Sequence, residues 1–117
     1  MYGKDTCDLR QRTKVFALRI IRLCASLPAS PAARLIGGQL LKSGTSPGAH
    51  YREACRARSP AEFVSKIEGG LQELEESSYW LELLVEGNIV PARRLADLMK
   101  EADELTAILV KSAMTAK

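Results

Sequence analysis

Apolar residues recur along this chain at intervals of three and four, the spacing that places them on one face of an α-helix. Four such stretches are separated by short breaks. The first extends from about Asp5 to Leu27 and stops at Pro28. Its inward stripe consists of Leu9, Phe16, Ile20, Leu23 and Leu27. No alternation of apolar and polar residues is long enough to indicate strands.

The second and third stretches begin with helix-capping signals. Ser30 and Pro31 supply an N-cap and a proline at the first helical position, where the missing N–H costs nothing. Ser59 and Glu62 form a capping box, and Pro60 lies in the same first turn. These two signals predict where the second and third helices start.

The second helix extends to about Ala57, and its pattern is interrupted near Gly44–Gly48. Pro47 lacks a backbone donor and clashes with the preceding turn, so we predict a kink there. The third helix stops at Gly87–Asn88, and the fourth runs from near Pro91 to the C-terminus. Their inward stripes are Phe63, Ile67, Leu71, Leu74, Leu81 and Val85 in the third helix, and Leu95, Leu98, Ala102, Leu105 and Leu109 in the fourth.

Four helices of similar length with short connections predict one all-α domain over residues 1–117, an up-down-up-down four-helix bundle. The composition agrees, since 46% of the 117 residues are hydrophobic but only 5% are aromatic, which favours helices over a sandwich or barrel. Without an apolar leader or an apolar run of membrane-spanning length, we expect a cytoplasmic protein with no membrane partner.

Two helices carry a second apolar stripe away from the core. Val15 and Leu18 lie roughly opposite the inward face of the first helix, and Tyr79 and Leu83 repeat this in the third helix, with Trp80 to one side. We predict that these five residues form a subunit interface, because Tyr and Trp are enriched in interface cores. The alternative is that they only widen the core.

The charge is divided between segments. Residues 1–59 carry eleven Lys/Arg and three Asp/Glu, a balance of +8, whereas residues 60–88 carry one lysine and seven glutamates, a balance of −6. The tightest basic cluster is Arg52, Arg56 and Arg58, followed by Arg19 and Arg22. One interpretation is a nucleic-acid contact repeated around an oligomer. The other is that the arginines pair with glutamates of the third helix.

Residues for catalysis or metal binding are sparse. His50 and Glu53 lie three residues apart, but His50 is the single histidine, and the paired Glu-x-x-His motifs of a di-iron bundle are missing. Cys7, Cys24 and Cys55 are widely spaced, which is typical of reduced thiols rather than a zinc site. We therefore predict no enzyme, no catalytic or metal residue, no cofactor and no small-molecule substrate.

Several blocks together resemble one family. They are Gln39-Leu40-Leu41-Lys42-Ser43-Gly44-Thr45-Ser46, Gly48-Ala49, Tyr51-Arg52-Glu53-Ala54, Ala57-Arg58-Ser59-Pro60-Ala61-Glu62-Phe63, Tyr79-Trp80-Leu81-Glu82-Leu83-Leu84 and Glu101-Ala102-Asp103-Glu104-Leu105. The resemblance, over roughly residues 8–117, is to the bacterial four-helix-bundle proteins first noted as products of intervening sequences in 23S rRNA genes. The accessory variability protein of diversity-generating retroelements belongs to the same group.

This resemblance implies a protomer that assembles into a ring, most often a homopentamer. For the retroelement accessory members it implies a basic adaptor that binds nucleic acid, RNA or DNA, and a reverse transcriptase; most other members have no established activity. The strongly acidic third helix departs from that basic pattern. We expect a non-enzymatic homo-oligomeric scaffold that binds nucleic acid or a reverse transcriptase through repeated basic patches. The alternative is a purely structural or protein-interaction ring without nucleic-acid affinity.

Overall fold

The computed structural model describes the backbone of residues 3–117 and the side chains from Leu9 onward. It contains four α-helices: α1 Gly3–Ala25, α2 Pro31–Ala54, α3 Pro60–Glu86 and α4 Ala92–Ala116. Residues 3–117 contain no strand. The predicted all-α four-helix bundle is therefore confirmed.

The helices follow one another around the bundle. Each of α1, α2 and α3 packs against the next helix, α1 and α4 meet more loosely, and among the described residues the backbones of diagonal pairs do not approach closely. The result is a rod of 45 × 22 × 19 Å. We call the end with the α1–α2 and α3–α4 connections the upper end, and the end with the α2–α3 connection the lower end.

Both predicted helix starts are confirmed by hydrogen bonds. The Ser30 hydroxyl accepts from the Ala33 amide at 3.2 Å, and the Ser59 hydroxyl accepts from the Glu62 amide at 3.0 Å. Glu62 Oε1 accepts from the amide of Arg58, at 2.7 Å, instead of the amide of Ser59. In the usual capping box the glutamate accepts from the N-cap amide, whereas here it accepts from the amide of the residue before the N-cap.

Two helices end before the predicted residues because their last turns tighten. Beyond Ala25, the amides of Ser26 and Leu27 bond to carbonyls only three residues back. Arg56 and Ala57 do the same after Ala54. Such bonds satisfy the last carbonyls of a helix without extending its α-helical geometry.

The second helix is continuous through Gly44–Gly48, with Pro47 buried inside it. The interrupted sequence pattern therefore does not interrupt the helix, and the kink stays a prediction. The hydroxyls of Thr45 and Ser46 donate to the carbonyls four residues back, each at 2.7 Å. Bonds of this kind commonly accompany helix bending.

Close approach of α1 and α2 depends on glycine. A Cβ built on Gly44 would lie 2.7 Å from Cγ1 and 2.8 Å from Cγ2 of Ile20, and Ile20 is completely buried. Lower down, a Cβ on Gly48 would lie 3.2 Å from the Thr13 hydroxyl. The α1–α2 register follows from these contacts, because each glycine admits one α1 side chain.

A hydrogen bond between two buried serines sets the register of α2 against α3. Ser77 Oγ donates to Ser43 Oγ at 2.9 Å, and it also lies 2.9 Å from the Glu73 carbonyl. Neither Ser43 nor Ser77 is part of the predicted apolar stripes. Buried hydroxyls need partners, so this pair disfavours any slip of one helix along the other.

Candidate functional site

The first predicted basic cluster lies at the lower end of the rod. Arg52, Arg56 and Arg58 are all exposed. The ion pairs formed among the described side chains are Arg12–Glu101, Arg12–Glu104, Lys66–Glu53 and Lys117–Glu68. None of these pairs uses the three arginines, so pairing with glutamates of α3 is not how this part of the chain accommodates them.

Two further cations on α1 join this cluster through the helix register. Thr13 faces Gly48 across the α1–α2 contact. Arg10 precedes Thr13 by one turn and Arg52 follows Gly48 by one turn, so in antiparallel helices they lie at the same level. Arg10 is exposed, like Lys14 one turn above it. We define the lower basic strip as Arg10, Lys14, Arg52 and Arg56.

The nearest carboxylate in sequence to this strip is turned away from it. Glu53 follows Arg52, but its Oε1 lies 3.1 Å from Nζ of Lys66 on α3. The other ion pairs among the described side chains join α1 to α4, or the residue after α4 to α3. Four cations without a described ion pair therefore share the exposed α1–α2 surface, where they attract an anionic polymer.

The second predicted pair belongs to a different place. Arg19 and Arg22 line a groove between α1 and α4 near the upper end, together with Arg94. Arg22 follows Arg10 by twelve residues of α1, which is roughly 18 Å along the helix axis. The five predicted arginines consequently form two separate basic sites rather than one.

An ion-pair cluster lies below this groove on the α1–α4 seam. Nη2 of Arg12 lies 2.6 Å from Oε1 of Glu101 and 3.1 Å from Oε1 of Glu104. Nε of Arg12 adds a bond of 3.0 Å to the other oxygen of Glu101. The bonds to Glu101 are bidentate, and through them Arg12 links two loosely packed helices, α1 and α4.

The predicted interface residues differ in their exposure. Val15 and Leu18 are 40% and 39% exposed, and Tyr79 is 53% exposed. Trp80 and Leu83 are partly buried and pack against the core of their own protomer. Trp80 Nε1 is buried without an acceptor among the described atoms, although buried indole N–H groups usually have one.

Two more exposed apolar residues lie beside Leu18. Ile21 is 44% exposed and Leu41 is 41% exposed. Ile21 follows Ile20 by one residue, Leu41 precedes Gly44 by three, and Ile20 and Gly44 are in contact. Ile21 and Leu41 thus flank the same level of the α1–α2 surface, beside Leu18. We define Leu18, Ile21 and Leu41 as the upper apolar face. Leu35 on α2 and Val110 and Met114 on α4 are also exposed, by 64%, 41% and 68%, and the sequence prediction missed them as well.

The only histidine and its acidic neighbour make different contacts in the structure. His50 packs its ring against Gly69 of α3, where an added Cβ would lie 3.0 Å from Nδ1, whereas Glu53 pairs with Lys66. Among the described side chains, no group of three or more His, Cys, Asp or Glu residues could hold a metal ion. Over the same described part of the chain, no helix is both long and apolar enough to cross a membrane.

A cavity of about 550 Å³ lies at the lower end and was not predicted. Tyr51, Cys55, Arg58 and Phe63 line it together with the last turn of α4. Its volume falls within the range of small-molecule sites. The cavity forms where three chain segments converge, which is why no local sequence motif indicates it.

The two described cysteines should differ in reactivity. Burial raises the pKa of the Cys24 thiol, and its Sγ donates to the Gly37 carbonyl at 3.3 Å, whereas Cys55 is exposed. A raised pKa leaves less thiolate, the reactive form. In a Cys7→Ser variant at pH 8, we expect iodoacetamide to modify Cys55 about tenfold faster than Cys24, as measured by mass spectrometry of the peptides. Equal rates would contradict the packing of Cys24 against α2.

Comparison with models of known protein families shows the family of this chain. The family model of the 23S rRNA-intervening sequence protein matches residues 5–111. The chain belongs to this family. The comparison with curated proteins found no match.

A solved structure supports the same relationship. It is a protein of unknown function from the S23 ribosomal protein family of Bacteroides thetaiotaomicron, 30% identical to this chain. The match has a TM-score of 0.87 and covers 93% of this chain and 97% of the other. Neither comparison assigns an activity to the family member described here.

Proposed function

We propose that this family member is a cytoplasmic, non-enzymatic, homo-oligomeric scaffold that binds the backbone of nucleic acid through the lower basic strip. The observation that carries the proposal is the strip itself: four exposed cations of α1 and of the lower end of α2 share one surface, and none of them is in a described ion pair. Contacts of this kind neutralise phosphates without reading sequence.

Assembly would multiply the effect of a modest protomer charge. The net charge of one chain is only +3. In a cyclic oligomer each strip recurs once per subunit, so the field near the ring adds up from all copies. The resemblance to retroelement accessory proteins supports a pentamer and a reverse transcriptase as further partner. A reverse transcriptase gene beside this one would support that partner, and its absence would count against it.

The second candidate function is a protein-interaction ring with no affinity for nucleic acid. Exposed apolar residues on α1, α2 and α3 favour it, because an exposed patch of this kind marks a protein interface. The acidic α3 adds an independent argument, since its glutamates repel phosphates. The two functions differ in whether the lower basic strip has a ligand.

Removal of two strip arginines tests the first function. We expect Arg52→Ala/Arg56→Ala to weaken binding of labelled RNA and duplex DNA by at least about tenfold at low salt, because two phosphate contacts are lost. The slope of log affinity against log salt concentration should decrease in magnitude by about two for duplex DNA. Fluorescence anisotropy of the labelled nucleic acid measures both quantities.

Arg34→Ala is a suitable control, because Arg34 is an exposed arginine of the same helix at the opposite end. It removes one charge but no part of the strip, so its affinity should stay near that of wild type. Absence of binding by the wild-type protein at low salt would refute the nucleic-acid function. The interaction-ring function would then stand, and its partner would be a protein.

A further inference from the structure

The groove between α1 and α4 carries cations that the ion pairs of the fold do not use. Its volume is about 230 Å³. Three arginines, Arg19, Arg22 and Arg94, line it. The other lining residues are the nearly buried Leu23, Leu95 and Leu98. No carboxylate lines the groove, so three guanidinium groups surround an apolar floor.

A neutral partner holds one of these guanidinium groups in place. Nη2 of Arg94 donates to Oγ of Ser26 at 2.6 Å, and Ser26 Oγ in turn donates to the Leu23 carbonyl at 2.8 Å. The chain of bonds ties the start of α4 to the end of α1. Because the acceptor is a hydroxyl, the bond orients Arg94 while leaving its positive charge available.

The surrounding carboxylates do not neutralise the groove. Arg19 is partly buried and makes no ion pair with any described side chain. Asp97, one turn after Arg94, is exposed and does not line the groove. Glu101, a further turn along α4, is engaged by Arg12. A partly buried cation without a counter-charge is costly unless a ligand supplies one.

The position of the arginines on α4 is also unfavourable for the helix itself. Pro91 occupies the N-cap without a side-chain bond, and the first turn contains no acidic residue. Instead it contains Arg93 and Arg94, although positive charge is disfavoured at this end of a helix dipole. A bound anion would reverse this repulsion, and sites that break such a local rule are often functional.

We propose that the α1–α4 groove binds a phosphomonoester group. A phosphate dianion matches guanidinium groups in charge and in bidentate geometry. The volume is below that of sites for drug-sized ligands, which suits one phosphate and part of its sugar rather than a duplex. The site is independent of the lower basic strip. Together, the two sites would let one protomer bind the internal phosphates of a strand at the strip and its phosphorylated end in the groove.

The test compares a short single-stranded oligonucleotide carrying a 5′-phosphate with the same strand carrying a 5′-hydroxyl. Each is labelled at its 3′ end, and binding is followed by fluorescence anisotropy at physiological salt. We expect the phosphorylated strand to bind about tenfold more tightly, the effect of one additional charged contact. Equal affinity of the two strands for the wild-type protein would overturn the proposal.

Two neighbouring arginines provide matched variants. Arg94→Gln should abolish the preference for the 5′-phosphate, whereas Arg93→Gln, which removes the same charge from the same turn but does not line the groove, should keep it. Loss of the preference in both variants would mean that net charge alone is responsible, and would overturn the site. Circular dichroism of both variants verifies that α4 is intact.

Competition identifies the source of the phosphate. Adenosine monophosphate that displaces the phosphorylated strand, while adenosine does not, supports a site open to free nucleotides as well as strand ends. Displacement by both compounds alike would show recognition of the base and would contradict the proposal. The 5′-hydroxyl strand reports on the lower basic strip, so Arg52→Ala/Arg56→Ala affects its binding and Arg94→Gln does not. Failure of either site is therefore distinguishable from failure of the other.

Discussion

Gly44→Ala is expected to lower the free energy of unfolding by about 3 kcal/mol, the upper part of the range for overpacked cores. The added methyl group would lie 2.7 and 2.8 Å from two carbons of Ile20, which is completely buried and surrounded by core residues. Neither helix can yield without separating α1 from α2. Thermal unfolding followed by circular dichroism should show a melting temperature lower by roughly 10 °C.

Gly38→Ala is the matched control for this prediction. Gly38 lies in the same helix, and an added Cβ would have no atom within 4 Å. Alanine should therefore stabilise the helix there by up to about 1 kcal/mol through its higher helix propensity. If Gly44→Ala raised the melting temperature as Gly38→Ala does, the close α1–α2 contact would be wrong. Ile20→Ala combined with Gly44→Ala should show strong non-additivity, since it removes the clashing carbons.

Leu18→Glu is expected to convert an oligomer into the 12.8 kDa protomer. Leu18 belongs to the upper apolar face, where it, Ile21 and Leu41 are each about two-fifths exposed. A carboxylate buried in a subunit contact would cost several kcal/mol per interface, enough to prevent assembly. Light scattering coupled to size-exclusion chromatography gives the mass of each variant.

Met114→Glu serves as the control for Leu18→Glu. Met114 is 68% exposed on α4 and lies outside the predicted interface. Its variant should keep the wild-type mass. A wild-type protein that is already a protomer would disprove the interface, as would an unchanged oligomer in both Leu18→Glu and Tyr79→Glu.

Mixing two variants distinguishes a ring from a two-fold dimer. In a ring, one face of each subunit meets a different face of the next, whereas a two-fold contact pairs a face with itself. If the α1 face meets the α3 face, Leu18→Glu and Tyr79→Glu proteins retain one intact contact between them. Their mixture should then form dimers, although each variant alone stays a protomer. A mixture without dimers would contradict the ring.

The predicted roles of Trp80 and Tyr79 illustrate a limit of helical periodicity. Both residues lie off the inward stripe, and their rings are in edge contact with centroids 5.1 Å apart. In the structure, however, Trp80 packs against the core while Tyr79 is more than half exposed. Periodicity gives the direction of a side chain from its own helix, but the depth of burial depends on how close the neighbouring helix lies.

The same limit applies to the candidate basic sites. Arg52 and Arg56 were found from their spacing of one helical turn, but Arg10 was not grouped with them, because only the contact between Thr13 and Gly48 brings α1 and α2 to the same level. Arg94 was likewise missed. Arg94 is held at the groove by its bond to Ser26, which is far from it in the sequence, so no local pattern indicates the contact.

The amino-acid sequence by itself determined the helices and their class of packing. Ser30 and Ser59 mark two helix starts through their own hydroxyls, and apolar periodicity orients each helix, because these interactions extend over only a few residues. The tertiary structure decided which cations share a surface and which serines pair. Those outcomes depend on helix register, and register follows from long-range contacts such as Gly44 with Ile20 and Ser43 with Ser77, which no single helix contains.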